Sequence, residues 1–125
     1  MKKIIFTPNA PKPIGPYSQA ILNNNTLYIS GQIPVNPATG KIEEPNIQSQ
    51  TKQVMDNIRA ILNEANMNFS DVVKTSIFIT DIKNFPLINE IYASYFPELP
   101  PARETIQVCK LPMNADVEIS VIAGK

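Results

Sequence analysis

Two charged residues near the carboxyl-terminal end of the chain are the first candidates for chemistry. Arg103 closely follows the dipeptide Pro100–Pro101, and Glu118 lies within the apolar run VEISVI. A guanidinium can bind a carboxylate through two parallel hydrogen bonds. A glutamate that is partly removed from water has a raised pKa, so it can act as a general base or acid near neutral pH. The simpler interpretation, which the residue pattern alone favours, is a surface arginine and a glutamate on the solvent side of a strand.

The residue types that the chain lacks exclude several kinds of catalysis and of binding site. It contains no histidine and one cysteine, Cys109. Ser–His and Cys–His catalysis are therefore excluded, as are histidine zinc sites and an intrachain disulfide. We expect no metal and no cofactor. We also predict that Cys109 is a packing residue, because a lone cysteine usually behaves as a small apolar side chain.

Charge and hydropathy predict the setting in which the protein works. The chain has 11 basic and 11 acidic residues and no basic run. We therefore expect no nucleic-acid partner. No apolar run approaches the roughly 18 residues of a membrane span, and the apolar start MKKIIF ends too early for a signal peptide. These features predict one cytoplasmic domain over residues 1–125, without membrane contact.

Apolar periodicity predicts an α+β fold in which hairpins are mixed with helices. The three asparagines at 23–25 suit the turn of a hairpin, and Asn46 and Asn84 are candidate helix N-caps. The four prolines of residues 7–17 exclude a helix or a central strand there, which leaves an ordered loop or a mobile arm. The predicted helices cover residues 47–66 and 84–96, and the predicted strands cover 3–6, 18–22, 26–30, 41–42, 72–80 and the two arms of a last hairpin within 99–123.

This last hairpin would set the distance between the two charges. A turn at residues 112–115 would pair Cys109 with Glu118 and place Arg103 six residues further along its strand. At about 3.3 Å per residue the separation is ~20 Å, unless a bulge shifts the register. One small ligand could not touch both charges within one chain, so a shared site would need two subunits. Two helices can cover only one face of the mixed sheet, which leaves the other face to water or to a partner subunit.

Several segments, taken together and in order, resemble the Rid family of reactive intermediate deaminases, also called the YjgF or L-PSP family. They are IGPYSQA at 14–20, LYISGQIP at 27–34, INEIY at 88–92, and PPAR…V…LP…VEI from 100 to 119. The resemblance covers nearly the whole chain. It implies a chorismate-mutase-like mixed sheet with two helices packed on one face. It also implies a homotrimer with ligand clefts between subunits.

The resemblance also implies roles for individual residues. Arg103 matches the family arginine that binds the substrate carboxylate, and Glu118 matches the glutamate near the catalytic water. Gly31 matches a backbone contact to the ligand. Thr105 stands where many members have a cysteine, so a thiol there is not essential to this protein, although the Thr105 backbone could still hold the ligand or water.

Tyr17 and Asn89 match residues that line the cleft in the Rid family. From the sequence pattern alone, Tyr17 is either a core aromatic residue or the wall of a site. Asn89 lies one step off the apolar stripe of the second predicted helix, which by itself indicates exposure to solvent.

The function implied by the resemblance is hydrolytic deamination of 2-aminoacrylate, 2-iminopropanoate and 2-iminobutanoate to 2-oxo acids and ammonia. The expected partners are small 2-imino and 2-oxo carboxylic acids and further copies of the chain. One alternative is a ligand-binding sensor or chaperone-like module without turnover. A second is an endoribonuclease or translation inhibitor, which the sequence supports less because it lacks histidine and a basic patch. The sequence does not select the preferred imine.

Overall fold

A computed structural model describes residues 2–125 as an α+β fold. The elements are β1 (Lys2–Ile5), β2 (Ala20–Asn23), β3 (Thr26–Gln32), β4 (Val35–Asn36), β5 (Lys41–Ile42), α1 (Ile47–Glu64), β6 (Val72–Ile79), α2 (Phe85–Ala93), β7 (Ala102–Gln107) and β8 (Val117–Gly124). The main sheet has six strands in the order β1-β2-β3-β8-β6-β7, and β4 pairs with β5 in a small separate ribbon. The predicted fold class is confirmed, since one parallel pair, β6 with β7, makes this sheet mixed.

The first hairpin forms where the asparagines predict it. Strands β2 and β3 pair antiparallel, with Asn23 opposite Thr26. Asn24 in the turn has a φ of 57°, a left-handed conformation that asparagine tolerates better than most residues. Strand β1 adds to β2 at the edge of the sheet. This half of the sheet therefore follows from local turn chemistry.

Helix α1 is confirmed, and it ends two residues earlier than predicted. The side chain of Asn46 accepts a hydrogen bond from the backbone N–H of Ser49 at 2.9 Å, which caps the amino-terminal end. Beyond the carboxyl-terminal end, Asn66 has a φ of 58°, a conformation that cannot continue a helix. The buried stripe of α1, which includes Val54 and Ile58, packs into the main core.

Helix α2 begins at Phe85, directly after the predicted cap, and ends three residues before the predicted end at Phe96. Asn84 precedes the helix, but its side chain makes no capping hydrogen bond. The preceding helical turn is capped instead by Asp81, which accepts a hydrogen bond from the N–H of Lys83. Pro86 lies in the first turn of α2, where its missing N–H costs no helical hydrogen bond.

The predicted last hairpin is wrong. Strand β7 lies at the edge of the sheet and pairs parallel with β6, with Arg103 opposite Thr75. Strand β8 lies between β3 and β6 and is antiparallel to both. Consequently Cys109 does not pair with Glu118, and the distance estimated along a shared hairpin does not apply.

Burial explains why the two strands separate. In β8 every second residue is buried, which suits a central strand, whereas no residue of β7 is buried, which suits an edge. The loop between them crosses the end of β6, where Val108 donates to the carbonyl of Ile79 at 2.8 Å. Met113 and Asn114 in this loop both have positive φ values, 57° and 55°, so the chain turns more widely than a two-residue hairpin.

One face of the main sheet packs into the buried core, and the other face is exposed. One face contributes alternating residues such as Ile77 and Ile119 to a single buried cluster that includes residues of both helices. The opposite face carries apolar side chains that remain exposed, including Ile4, Tyr28 and Ile106. Within residues 2–125 no helix is long and apolar enough to cross a membrane.

Candidate functional site

Arg103 lies at the start of β7, and its side chain reaches helix α2. Its Nη1 donates a hydrogen bond of 2.7 Å to Oδ1 of Asn89. The guanidinium carbon lies 5.0 Å from the ring centre of Tyr92 and 5.3 Å from that of Phe85, within cation–π range of both. No ion pair within residues 2–125 includes Arg103. We call these four residues the arginine group.

Arg103, Asn89 and Tyr92 of the arginine group line an open cleft of about 520 Å³ between α2 and the residues that lead into β7. Its walls include Ala93, Phe96 and the Pro100–Pro101 dipeptide. Two successive prolines restrict the backbone just before Arg103. The guanidinium therefore lies beside the cleft, is hydrogen-bonded to Asn89, and has further N–H donors that make no hydrogen bond within residues 2–125.

Glu118 is half-buried in β8, where burial raises the pKa of its carboxyl. It lies against Gly31 of β3, at a bulge between Ile29 and Gln32 where the register of β3 against β8 shifts. A Cβ built on Gly31 would lie 2.7 Å from Cδ and 3.1 Å from Cγ of Glu118. Glycine at position 31 therefore makes room for this carboxylate. No hydrogen bond or ion pair within the described residues engages it.

Tyr17 is about half exposed, so it is not a core aromatic residue. It lies at the end of the proline-rich arm and, with Gly31, lines an apolar cavity of about 340 Å³. Met113, from the loop before β8, reaches the same cavity. We call Tyr17, Gly31 and Glu118 the glutamate group. Gly31 links the two side chains, because it lines the cavity beside Tyr17 and lies against the carboxyl group of Glu118.

The arm that carries Tyr17 is held by a residue that the sequence analysis missed. Gln19 is buried, and its side-chain amide donates to the carbonyls of Thr7, Ala10 and Pro11 at 3.0–3.3 Å. Its Oε1 accepts a hydrogen bond of 2.8 Å from the N–H of Thr7. The arm is therefore an ordered loop. The available signal was the shortage of backbone donors in a stretch with four prolines, which calls for a side chain to supply them.

The two groups lie on opposite faces of the sheet. Arg103 is aligned with Thr75, which is buried on the helix side, whereas Glu118 is aligned with Phe78, three residues further along β6. Side chains an odd number of residues apart on a strand point to opposite faces. One small ligand therefore cannot touch both charges within one chain. The predicted conclusion stands, although its predicted reason, separation along a hairpin, does not.

Thr105 and Cys109 are the remaining two residues that were considered from the sequence. Thr105 lies in β7, two residues after Arg103, and its hydroxyl oxygen is buried without a hydrogen-bond partner in residues 2–125. Cys109 is exposed, because β7 ends at Gln107 and the following loop carries it outward. Its interpretation as a packing residue is therefore wrong.

Across the described part of the chain, no cluster of three or more His, Cys, Asp or Glu side chains is arranged to hold a metal ion.

Three residues of the arginine group share one side of α2. Phe85, Asn89 and Tyr92 follow the spacing i, i+4, i+7, which places them above one another on a helix. Neither Phe85 nor Tyr92 was predicted as a site residue, although Tyr92 lies in the segment INEIY that resembles the Rid family. An aromatic–amide–aromatic stripe beside an arginine strand was the signal that could have identified both.

Comparison with known proteins decides the family. The model of the family described as "Endoribonuclease L-PSP" matches residues 7–125. The chain belongs to this family. Reactive Intermediate Deaminase A, a chloroplastic protein of Arabidopsis thaliana, is 46% identical over 122 residues, which are 98% of this chain and 65% of that protein. Several other relatives, at about 50% identity, are named only as RutC family proteins.

Solved structures of the L-PSP family share the whole fold of this chain. The Rid-family protein YyfA of Yersinia pestis is 53% identical, has a TM-score of 0.97, and is covered fully by this chain, as this chain is by it. TdcF of E. coli, solved with bound serine, is 39% identical, has a TM-score of 0.94, and the match covers 98% of both chains. The predicted Rid resemblance is thereby confirmed.

Proposed function

We propose that this chain hydrolyses small 2-imino acids to 2-oxo acids and ammonia. The observation that carries the proposal is the guanidinium of Arg103, which is oriented by Asn89 and left without a carboxylate partner beside an open cleft. A fork of this kind matches a planar carboxylate. The name of the Arabidopsis relative and the bound serine of TdcF support a small substrate with an amino-acid skeleton.

The proposed reaction needs positioning more than strong catalytic groups. Arg103 binds the substrate carboxylate, and Glu118 orients a water toward the electrophilic imine carbon. The water oxygen bonds to that carbon while the C=N π pair moves to the nitrogen, which takes one of the water protons. The hydroxyl of this carbinolamine then gives its proton to the amino group, and the C–N bond breaks as C=O forms, which leaves a 2-oxo acid and ammonia. Because burial raises the pKa of Glu118, its carboxylate is a stronger base than that of an exposed glutamate, which suits a group that accepts a proton from water. Holding both reactants in place supplies much of the acceleration.

The proposed site is built from two subunits of a homotrimer. Because the two groups face opposite sides of one sheet, the arginine group of one chain would have to meet the glutamate group of another. The exposed apolar residues Ile4, Tyr28 and Ile106 give the open sheet face a reason to be covered by another copy. Asn89 and Thr105 then belong to the arginine side of the shared cleft, and Tyr17 and Gly31 to the other.

The first experiment removes the carboxylate-binding fork. Arg103→Ala should lower kcat/KM for release of 2-oxobutanoate, in an assay coupled to threonine dehydratase, by about 10- to 100-fold, because a hydrogen bond to a charged group contributes about 1.5–3 kcal/mol. Arg59→Ala is the matched control, since Arg59 also lies over two aromatic rings but does not line the cleft beside Arg103. Unchanged deamination by Arg103→Ala would refute the role proposed for Arg103.

A second experiment tests whether the site is shared between subunits. Chains with Arg103→Ala and chains with Glu118→Gln are unfolded, mixed and refolded together. If each site takes one group from each of two chains, some sites in mixed trimers contain both intact groups and regain activity. If each chain carried a complete site, the mixture would be no more active than the separate variants.

The main alternative is a binding module without turnover. It predicts tight binding of 2-oxobutanoate with no acceleration of imine hydrolysis, and the same coupled assay separates the two. The endoribonuclease in the family description remains the less supported function, because the chain has no histidine and no net charge to favour RNA.

A further inference from the structure

Tyr92 is the best-fixed member of the arginine group. Its side chain is 5% exposed, and its ring packs against Phe96 with ring centres 4.8 Å apart. Its hydroxyl lies 2.8 Å from the hydroxyl of Thr75, which is itself 1% exposed. The ring that faces the guanidinium is thus held both by packing and by a buried hydrogen bond.

This hydrogen bond ties the ring to the strand that carries the arginine. Thr75 of β6 is the direct partner of Arg103 in the parallel β6–β7 pair. The guanidinium, the ring and the threonine therefore form a closed arrangement, in which strand pairing fixes the backbone of Arg103 and Thr75 fixes the ring. A displacement of Tyr92 would be transmitted to the guanidinium without any change in the strands.

The contacts of Arg103 leave a defined part of it free. Its Nη1 donates to Asn89, and Tyr92 and Phe85 lie within cation–π distance of its centre. A guanidinium has five N–H donors in one plane, and Arg103 makes a single side-chain hydrogen bond within residues 2–125. Aromatic rings attract the face of such a cation, so the donors left for a ligand lie along its edge.

We propose that Tyr92, anchored by Thr75, is a positioning residue that aims the edge of Arg103 at the substrate carboxylate. The inference rests on the proposed function, because it gives Arg103 a carboxylate to bind. Tyr92 itself does not touch the substrate in this proposal. It determines how tightly a carboxylate is held, whereas the attack of water depends on the glutamate group.

Tyr92→Leu tests this role by removing the ring and keeping an apolar side chain. Cation–π contacts contribute about 0.5–2 kcal/mol, so KM for 2-iminobutanoate and Kd for the product 2-oxobutanoate should each rise about two- to thirtyfold. We expect kcat to stay within about twofold, because carboxylate binding is similar in the ground and transition states. Binding of 2-oxobutanamide, which lacks the carboxylate charge, should not change. A purely structural residue would not separate the acid from the amide.

Tyr95→Leu is the matched control. Tyr95 lies just beyond the same helix, its ring faces Arg59 at 5.1 Å, and its hydroxyl donates to Asp56. It therefore has a similar set of contacts around a different arginine, and we expect KM and Kd to be unchanged. If Tyr92→Leu fails to fold, the double variant Thr75→Val/Tyr92→Phe keeps the ring and removes both hydroxyls, and it should give a smaller rise in the same two constants.

The outcomes separate this inference from the proposed function. If Arg103→Ala loses activity while both Tyr92 variants keep normal KM and Kd, the positioning role is wrong and the proposed function stands. An equal rise in Kd for the acid and the amide would also overturn the positioning role. If the wild-type protein hydrolyses no imine, the proposed function fails, and the ratio of acid to amide Kd, measured by calorimetry, still decides whether Tyr92 orients Arg103.

Discussion

Substituting Gly31 should disturb the candidate site through Glu118 alone. The backbone at Gly31 has no left-handed φ, so alanine is not excluded by its conformation. The obstacle is space, because the new Cβ would lie 2.7 Å from Cδ of Glu118, and ordinary contact begins at 3.4 Å. The carboxyl group must therefore move by at least about 0.7 Å, since its Oε2 would lie closer still to the new Cβ.

This displacement determines how much the reaction rate should fall. If Glu118 orients the attacking water, a shift approaching 1 Å costs up to about 10²-fold in rate. We therefore expect Gly31→Ala to lower kcat for imine hydrolysis about 10- to 100-fold. KM should change little, because the proposed carboxylate site belongs to the arginine group of another chain.

The assay is release of 2-oxobutanoate above the uncatalysed rate, with circular dichroism and a thermal melt to confirm folding. Gly124→Ala is the matched control: Gly124 lies in β8 and an added Cβ would approach nothing closer than 3.6 Å. Full activity in a folded Gly31→Ala protein would show that the position of Glu118 does not control the reaction.

Two further predictions concern stability. Burial raises the pKa of Glu118 in the folded chain. Just above the ordinary glutamate pKa, the folded chain therefore holds a proton that the unfolded chain has released. The free energy of unfolding consequently falls as pH rises through this range. Glu118→Gln should therefore be more stable than the wild type at neutral pH, and the difference should vanish below the ordinary glutamate pKa. Denaturant unfolding at several pH values measures this difference. Equal stability of the two proteins at all pH values would contradict a pKa raised by burial. Gln19→Leu should lower the free energy of unfolding by about 2–4 kcal/mol, since it leaves several buried carbonyls and one N–H unpaired, and it should expose residues 7–17 to limited proteolysis. Gln48→Leu is its control, because Gln48 lies half-exposed on α1 and its side chain makes no hydrogen bond within residues 2–125; equal proteolysis of the two variants would refute the anchoring role.

Local patterns predicted the parts of the fold that local chemistry decides. Asn24 gave the first hairpin, Asn46 gave the start of α1, and the period of apolar residues gave both helices. The errors at the helix ends are small, because several neighbouring residues can end a helix at similar cost. Asn84 shows the limit, since Asp81 provides the side-chain cap just upstream.

The last two strands could not be placed from local patterns. Strands β7 and β8 follow each other closely, which is typical of a hairpin, yet each pairs with β6 from a different side. The choice depends on how much of each strand can be buried in the assembled sheet, which is a property of the whole fold. The residue pattern held a usable sign, since ARETIQ is far more polar than VEISVIAG.

The candidate site could also be predicted only in part from the sequence. Arg103 and Glu118 could be selected because charges at rigid or apolar positions are costly unless they are used. The contact of Gly31 with Glu118 depends on a bulge that joins strands far apart in sequence, so no spacing indicates it. Tyr92 belongs to the buried core, and its contact with Arg103 appears only once β7 lies beside β6.

The parallel pairing of β6 and β7 has a consequence for how the two groups are assembled during folding. The arginine group lies within one continuous segment, β6–α2–β7, and its partners are at most about thirty residues apart. The glutamate group forms only when β3 meets β8, which brings together residues from opposite ends of the chain. Loop closure over that distance carries the larger entropic cost. The arginine half can thus persist when the sheet opens between β3 and β8, whereas the glutamate half is lost with that pairing, so amide hydrogen exchange should protect the two halves to different degrees.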